Sequence, residues 1–168
     1  MKELPRVIDF HCHVGESVDG AGITERQLLE LLEEYPVDYC VVFPIDARDK
    51  GVTYKHLNDE IAEFAATDPR LIAFGRIDPK AGGAALGEMD RFPALGLRGV
   101  KLHPFSEGFG PGEAAPVVEK AGEMCLPVML HSSQRSFREE LEGWKKVFSL
   151  ARSPVIAAHG GKDNYRRL

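Results

Sequence analysis

Short apolar runs alternate along the chain with longer segments in which apolar residues recur at helical spacing. Strands of a parallel sheet are buried on both faces, so they are continuously apolar, and helices connect them. The alternation therefore predicts an α/β fold with a parallel sheet. Six runs are predicted as strands, over residues 7–15, 38–45, 71–77, 97–103, 127–131 and 154–159.

Five segments between these strands are predicted as helices. The first begins at Thr24-Glu25-Arg26-Gln27, which has the form of a capping box, and Ser136-Phe137-Arg138-Glu139 offers a second one before the last helix. The Gly-rich run over 108–112 is predicted as a surface connector. The third predicted helix lies over residues 84–92. In chain order, the apolar faces of the other four carry Leu28 and Leu32, then Leu57 and Ile61, then Val117 and Ala121, and finally Leu141 and Trp144.

The strand-helix unit recurs roughly every 30 residues, without a repeat at the level of individual residues. A closed barrel of eight such units needs at least about 200 residues. The chain has 168, and two more units at the same spacing would bring it into that range. We therefore expect a parallel (β/α) barrel of TIM type, incomplete, with about six of eight units in a single domain over residues 1–168.

Composition excludes some classes of partner. The chain is 43% hydrophobic, which is enough for a core, and its net charge of -5 comes from mixed signs that give no basic face for nucleic acid. No apolar run approaches the roughly 20 residues of a membrane helix, and the N-terminus lacks the apolar core of a signal peptide. We expect a cytoplasmic protein that binds neither nucleic acid nor membrane.

The three cysteines, Cys12, Cys40 and Cys125, are scattered in apolar surroundings. This pattern does not indicate a disulfide framework, and we expect reduced core residues. Cys12 is an alternative metal ligand, but the alternation of side chains along a strand directs it away from His11 and His13.

Histidines follow the ends of four predicted strands: His11 and His13 on the first, then His103, His131 and His159. Residues two apart on a strand point the same way, so Asp9, His11 and His13 are expected on one face. The carboxyl ends of parallel strands are where catalytic groups collect, and imidazole nitrogen is the commonest zinc ligand. The pattern favours a site for a divalent metal over strand ends that merely tolerate polar residues.

Four motifs lie in order along the chain: Asp9-Phe10-His11-Cys12-His13, Gly99-Val100-Lys101-Leu102-His103-Pro104, Val128-Met129-Leu130-His131 and Ala157-Ala158-His159-Gly160-Gly161. Together they resemble the amidohydrolase superfamily, in particular its amidohydrolase-2 branch, which is related to aminocarboxymuconate-semialdehyde decarboxylase. The resemblance implies a (β/α)8 barrel with one divalent metal ion, zinc being the first expectation. It also implies that His11, His13 and His131 are ligands and that His159 polarises the water or the substrate.

One part of the family pattern has no counterpart. In that family an aspartate on strand eight acts as ligand and proton shuttle, whereas this sequence stops after the sixth predicted strand and Asp163 follows His159 too soon. Loss of a general base commonly costs a factor of about 10² to 10⁴. We interpret the sequence as a C-terminally truncated member. It is a fragment, the product of an incompletely assigned gene, or a protein that a second chain completes.

Lys101 shares its strand face with His103, so both are expected to point toward the site as candidate catalytic residues. In relatives with two metal ions, the resemblance implies, a lysine on strand four becomes carbamylated and bridges them. The alternatives are a lysine that extends its amine toward solvent and one that pairs with an acid such as Asp9.

Arg76 ends the third predicted strand and is a candidate substrate-binding residue. Its planar guanidinium matches a carboxylate. A structural salt bridge to Asp78 or Asp46 is an equal alternative.

The predicted function is that of a metal-dependent hydrolase or non-oxidative decarboxylase, acting on a small carboxylated molecule through a water that the metal activates. One rival is a phosphoesterase of the polymerase-and-histidinol-phosphatase type, whose opening is similar to residues 9–13 followed by Ser17-Val18-Asp19-Gly20. Another rival is a non-catalytic barrel remnant that serves binding or assembly. An incomplete barrel leaves unpaired strand edges, so a homo-oligomer is expected in every case.

Overall fold

The computed structural model describes residues 6–18, 20–45, 50–132 and 138–160, which contain two four-stranded sheets. Residues named above that lie outside these ranges are Asp19, Asp46, Ser136, Phe137, Gly161 and Asp163. The strands are β1 (Ile8–Glu16), β2 (Gly22–Ile23), β3 (Tyr39–Pro44), β4 (Leu71–Ala73), β5 (Gly75–Arg76), β6 (Val100–Leu102), β7 (Val128–His131) and β8 (Val155–Ala158).

The two sheets join at Phe74. One sheet has the order β2-β1-β3-β4 and the other β5-β6-β7-β8. The Phe74 amide donates to the Val42 carbonyl at 2.9 Å, and the next amide, of Gly75, donates to the Gly99 carbonyl at 3.0 Å. β4 and β5 are therefore two halves of the third predicted strand. All six predicted strands are confirmed, and they lie parallel and in chain order.

The helices are α1 (Glu25–Glu34), α2 (Lys55–Ala65), α3 (Gly83–Met89), α4 (Phe92–Leu95), α5 (Pro104–Glu107), α6 (Pro111–Glu123) and α7 (Leu141–Leu150), with a 3-10 turn at Pro79–Ala81. The capping box of α1 is confirmed: the Thr24 hydroxyl accepts from the Gln27 amide at 3.2 Å, and the Gln27 side chain accepts from the Thr24 amide at 2.9 Å. The helix predicted over 84–92 is divided into α3 and α4, and α5 was not predicted.

Alternate residues of each strand enter two different cores. Cys40 and Val42 of β3 belong to the larger core, between the sheet and the helices, which also contains Trp144. Val41 and Phe43 point to the other face. There they form a smaller cluster with Phe74, Met129 and Ala158 on the inner side of the sheet. Burial on both faces explains why the strands are continuously apolar.

A bulge interrupts β1. Asp9 pairs with Cys40 and Cys12 with Val42, so three residue steps on β1 face two on β3. Asp9 therefore shares the outer face with Cys12, whose thiol it contacts by a hydrogen bond. The expectation that Asp9 lies on the same face as His11 and His13 is wrong, because a bulge changes the alternation of side chains.

The cysteines are free thiols. Cys40 is buried and Cys12 half-buried, and their thiols contact each other by a hydrogen bond on the outer face of the sheet. The prediction of reduced core residues is wrong for Cys125, which is exposed. That residue has a left-handed backbone, with φ of 55°, just after α6.

The barrel is open. Within the described ranges, β1 pairs only with β2 and β3, and β8 pairs only with β7. Val7 and Ile8 at the edge of β1 are both 48% exposed. No helix in the described part of the chain has the length and apolar character needed to cross a membrane.

Candidate functional site

Histidine rings from three strands meet at the carboxyl ends of β1, β7 and β8. The ring centres of His11 and His13 lie 5.2 Å apart, and that of His159, just after β8, lies 4.9 Å from His11. The His131 ring, at the end of β7, lies 4.7 Å from His159. The structure thus brings together residues that are up to about 150 positions apart in the sequence, as the strand-end rule requires.

The His13 ring lies against Phe43 and the backbone of Pro44. It contacts the backbone carbonyl of Pro44 by a hydrogen bond and packs edge-on against Phe43, with ring centres 4.5 Å apart. Its Nδ1 is buried and has no hydrogen-bond partner within the described ranges.

Burial keeps the site histidines neutral. It lowers the pKa of His11 to about 4 and the pKa values of His13 and His131 to about 3, with a further contribution from the positive charge of Lys101. Burial also lowers the pKa of His159. Near neutral pH these rings carry no charge, which is the form in which imidazole binds metal ions.

Lys101 of β6 points into the same space, as predicted. The residue is 0% exposed, its Nζ lies 3.2 Å from His11 Nε2, and the same atom lies 4.7 Å from the centre of the Phe43 ring. Burial, and next the charge of Arg76, lower its pKa to about 7. Asp9, the acid considered as its partner, lies on the opposite face of β1.

His103 has a structural contact besides any role in catalysis. Its Nδ1 accepts from the Ser106 amide at 3.2 Å, so the side chain caps α5. Its ring stacks on that of His131, with centres 3.8 Å apart. His103 therefore lies beside the histidine cluster, and its catalytic role stays a prediction.

Arg76 forms a buried ion pair. The residue is 1% exposed, and its Nη2 and Nε donate to Glu107 Oε1 at 2.6 and 3.1 Å. Its Nη1 donates to the Pro44 carbonyl at 3.2 Å. A structural salt bridge is thus present, but its partner is Glu107 and not Asp78. Asp46, the other expected partner, lies outside the described residues. Substrate binding by Arg76 stays a prediction, and the engaged donors do not favour it.

The sequence analysis missed Glu107 and two residues around the pair, Tyr54 and Asn58. The Tyr54 hydroxyl donates to Glu107 Oε1 at 2.6 Å, and Asn58 accepts from the Arg76 amide at 2.8 Å. Tyr54 has a left-handed backbone, with φ of 59°, at the start of α2. These contacts join residues 53, 31 and 18 positions apart, and no local spacing in the sequence indicates them.

The imidazole nitrogens at this site are of the chemical type that binds late divalent metal ions. Neutral imidazoles surround one space, and the buried Nδ1 of His13 has no hydrogen-bond partner within the described ranges. With the side chains as they stand, no three His, Cys, Asp or Glu residues of the described ranges are placed to hold an ion together. Sharing one ion would therefore require rotation of these side chains. These residues therefore fit a metal ion in the type of their donor atoms and in their location at the strand ends.

The chain matches one protein-family model and aligns with solved structures of other proteins. The family model described as Amidohydrolase matches residues 8–164. An apo crystal structure from Agrobacterium tumefaciens aligns with a TM-score of 0.65 at 16% identity, over 96% of this chain and 59% of that one. An uncharacterised TIM-barrel protein from Bordetella bronchiseptica aligns with a TM-score of 0.71 at 14% identity, over 97% and 70% of the two chains.

At these identities the structural likeness shows the fold alone. It confirms the predicted TIM-type α/β architecture, and the chain spans 59% of the length of the Agrobacterium protein. None of the curated proteins matches the sequence.

Proposed function

The chain belongs to the amidohydrolase family, and we propose on that premise that it acts as a metal-dependent hydrolase or non-oxidative decarboxylase of a small carboxylated molecule. The observation that carries the proposal is the meeting of the His11, His13, His131 and His159 rings at the carboxyl ends of the strands. The family match favours this function over the phosphoesterase. The finer assignment, to the branch related to aminocarboxymuconate-semialdehyde decarboxylase, is part of the proposal.

We assign the metal ligands to His11, His13 and His131, with zinc as the first candidate. Their low pKa values support this assignment because a neutral ring offers a lone pair without first losing a proton. A divalent ion in such a place polarises a carbonyl and lowers the pKa of water toward neutrality.

His159 and Lys101 are the candidates for proton handling. His159 lies within 5 Å of His11 and His131, measured between ring centres, so its imidazole can orient water or substrate beside them. Lys101 holds its amine 3.2 Å from His11 Nε2, and a pKa of about 7 lets Nζ take up or release a proton near neutral pH. His103, stacked on His131, would support that ring.

Metal analysis of the purified protein tests the site. After reconstitution with zinc we expect about one bound equivalent, as in a mononuclear site. His11→Ala and His131→Ala are each expected to lose it, whereas His56→Ala, on α2, is expected to keep it. Absence of zinc from the wild-type protein, or equal loss in all three variants, would reject the site.

Product analysis tests the reaction class. A panel of lactones, amides and unsaturated carboxylic acids separates hydrolysis from release of carbon dioxide. Turnover of a carboxylated compound that depends on zinc supports the proposal. Release of phosphate from phosphomonoesters, with no turnover of carboxylated compounds, would support the phosphoesterase in its place.

A further inference from the structure

The short helix α5 connects the barrel rim to the histidine cluster. At its start His103 stacks on the ring of His131, and at its end Glu107 forms a buried ion pair with Arg76. We propose that His103 and Glu107 are positioning residues: Glu107 holds α5 in place, and His103, carried by α5, fixes the orientation of the His131 ring. The purpose of this arrangement rests on the proposed function, whereas the contacts themselves do not.

The His103 ring is tied to the backbone of α5. Its Nδ1 accepts a hydrogen bond from the Ser106 amide at 3.2 Å, so the ring cannot turn without losing the cap of the helix. The ring of His131 lies on it, with centres 3.8 Å apart and planes inclined by 18°. Turning the His131 ring out of this orientation would lose the stacking contact. The plane of the His131 ring is therefore set by the position of α5.

The other end of α5 is held by one carboxylate oxygen. The Glu107 side chain is 0% exposed, and its Oε1 accepts from Arg76 Nη2 at 2.6 Å and from Arg76 Nε at 3.1 Å. The same oxygen accepts from the Tyr54 hydroxyl at 2.6 Å. Hydrogen bonds between charged groups are stronger than neutral ones and depend on direction. Donors from β5 and from the start of α2 thus fix the end of α5 against the sheet.

Helix α5 depends on these contacts for its position. Four residues are too few for a stable isolated helix, and Phe105 within it is 67% exposed and adds little packing. A buried ion pair is also costly, since well-packed apolar residues are often at least as stable in its place. The pair of Arg76 with Glu107 is therefore better explained by the direction that it gives to α5 than by stability alone.

The position of His131 matters for the proposed site. Its ring follows β7 and lies 4.7 Å from that of His159, measured between centres. A ring that a neighbour already holds has less conformational freedom to lose when it binds an ion, and loss of the groups that orient a histidine ligand typically costs about 10- to 100-fold in metal affinity. The rotation that a shared ion requires is then expected from the rings of His11 and His13.

The orientation of His131 is measurable without any metal. A ring stacked on another has its carbon-bound protons shifted upfield, and spectra of the apoprotein labelled with ¹³C-histidine show this shift, with His131→Asn assigning the signal by its loss. Two variants separate the stack from the cap. His103→Asn keeps a good helix cap and removes the ring, so the upfield shift of His131 is expected to disappear. His103→Phe keeps a ring and removes the Nδ1 acceptor, and it is expected to retain most of the shift.

Glu107→Gln tests the other end of the helix. It weakens the buried pair, and the upfield shift of His131 is expected to decrease. Because this variant risks misfolding, Tyr54→Phe provides a milder change that keeps the ion pair, and a smaller decrease is expected. Asp68→Asn, which alters the surface pair with Arg70, is the matched control and should leave the signal unchanged.

Two results in these spectra would overturn the inference. One is a His131 signal that does not change when His103→Asn folds normally. The other is a signal that stays the same in both folded variants of the Glu107 end, which would show that the ion pair does not act on His131 through α5.

Cobalt titration adds a second readout. We expect His103→Asn to weaken Co²⁺ binding by about 10- to 100-fold, His103→Phe to retain most of the affinity, and Asp68→Asn to leave it unchanged. If the wild-type protein binds no Co²⁺, the proposed metal function fails, while the spectra of the apoprotein still decide whether α5 positions His131. A changed His131 signal with unchanged Co²⁺ affinity would overturn the inference that this position serves metal binding.

Discussion

At the scale of single residues, burial determines protonation in the candidate site. Lys101 is fully buried, and burial lowers its pKa from its usual value of 10.5 to about 7. The histidines around it are shifted in the direction that also removes positive charge. A cluster of five basic side chains can therefore share a small space near neutral pH without strong mutual repulsion.

The shifted lysine predicts a pH dependence of stability. Between pH 7 and 10.5 the unfolded chain keeps the proton on Lys101 and the folded chain has lost it, so the free energy of unfolding rises with pH in that window. Lys101→Met removes this contribution. In urea denaturation, the free energy of unfolding of the wild type should increase relative to that of the variant as the pH rises.

The control for this measurement is Lys145→Met, which alters an exposed lysine paired with Glu142. Its difference in unfolding free energy from the wild type is expected to stay nearly constant between pH 7 and 9. A constant difference for Lys101→Met as well would show that the amine is not perturbed by burial.

What could be predicted at this scale follows from local rules. The strand-end positions of His11, His13, His131 and His159 depend only on where apolar runs end, and the structure brings these rings together. The pairing of Arg76 with Glu107 joins residues 31 positions apart with no periodic spacing, so no local rule indicates it.

At the scale of strands and helices, close packing of aromatic rings on glycines holds the third strand between its neighbours. A Cβ atom added at Gly99 would lie 2.4 Å from the Phe74 ring. Phe74 occupies the junction of β4 and β5, where the hydrogen bonds of the sheet change partner. Gly99 therefore allows the inner cluster to close beneath the histidines.

Two glycine substitutions separate the effect of core packing from the effect of helix propensity. Gly99→Ala is expected to destabilise the protein by about 1–3 kcal/mol because the core has no room for a methyl group. Gly87→Ala, in α3 with open space around it, is expected to stabilise by about 0.5–1 kcal/mol. Thermal or urea denaturation measures both. Equal effects of the two substitutions would contradict this account of the junction.

The elements themselves were predictable where the pattern is long and consistent. Strands buried on both faces are continuously apolar, and α1 has a complete capping box, so both kinds of element were predicted correctly. The order of apolar and polar residues does not indicate the bulge in β1. The prediction of the sheet face on which Asp9 lies was therefore wrong. The helix α5 has only four residues, begins at Pro104 and is followed by Gly108, so it is too short to show periodicity.

At the scale of the whole molecule, residues 8–14 of β1 and the whole of β8 each have one side without a strand partner within the described ranges. Val7, just before β1, is 48% exposed, and Ile8 and Phe10 on β1 are 48% and 38% exposed. An exposed apolar strand edge offers unpaired backbone groups to another chain. The edges support the proposal that copies of this protein associate.

Light scattering and sedimentation test the association. We expect the purified protein to form oligomers, and Ile8→Lys to shift the population toward monomer because a charge at the edge opposes pairing. Val52→Lys is the matched control, since Val52 is 72% exposed and lies in a turn outside β1. A stable, compact wild-type monomer would contradict the proposal.

The central claim is that imidazoles from the first and fifth parallel strands share one divalent ion beside an imidazole from the sixth. Anomalous diffraction from zinc-loaded crystals tests this claim most directly. We expect one anomalous peak about 2.0–2.1 Å from ring nitrogens of His11, His13 and His131, with His159 beside it. A loaded crystal without a peak among these rings, or with zinc bound only by other side chains, would contradict the account.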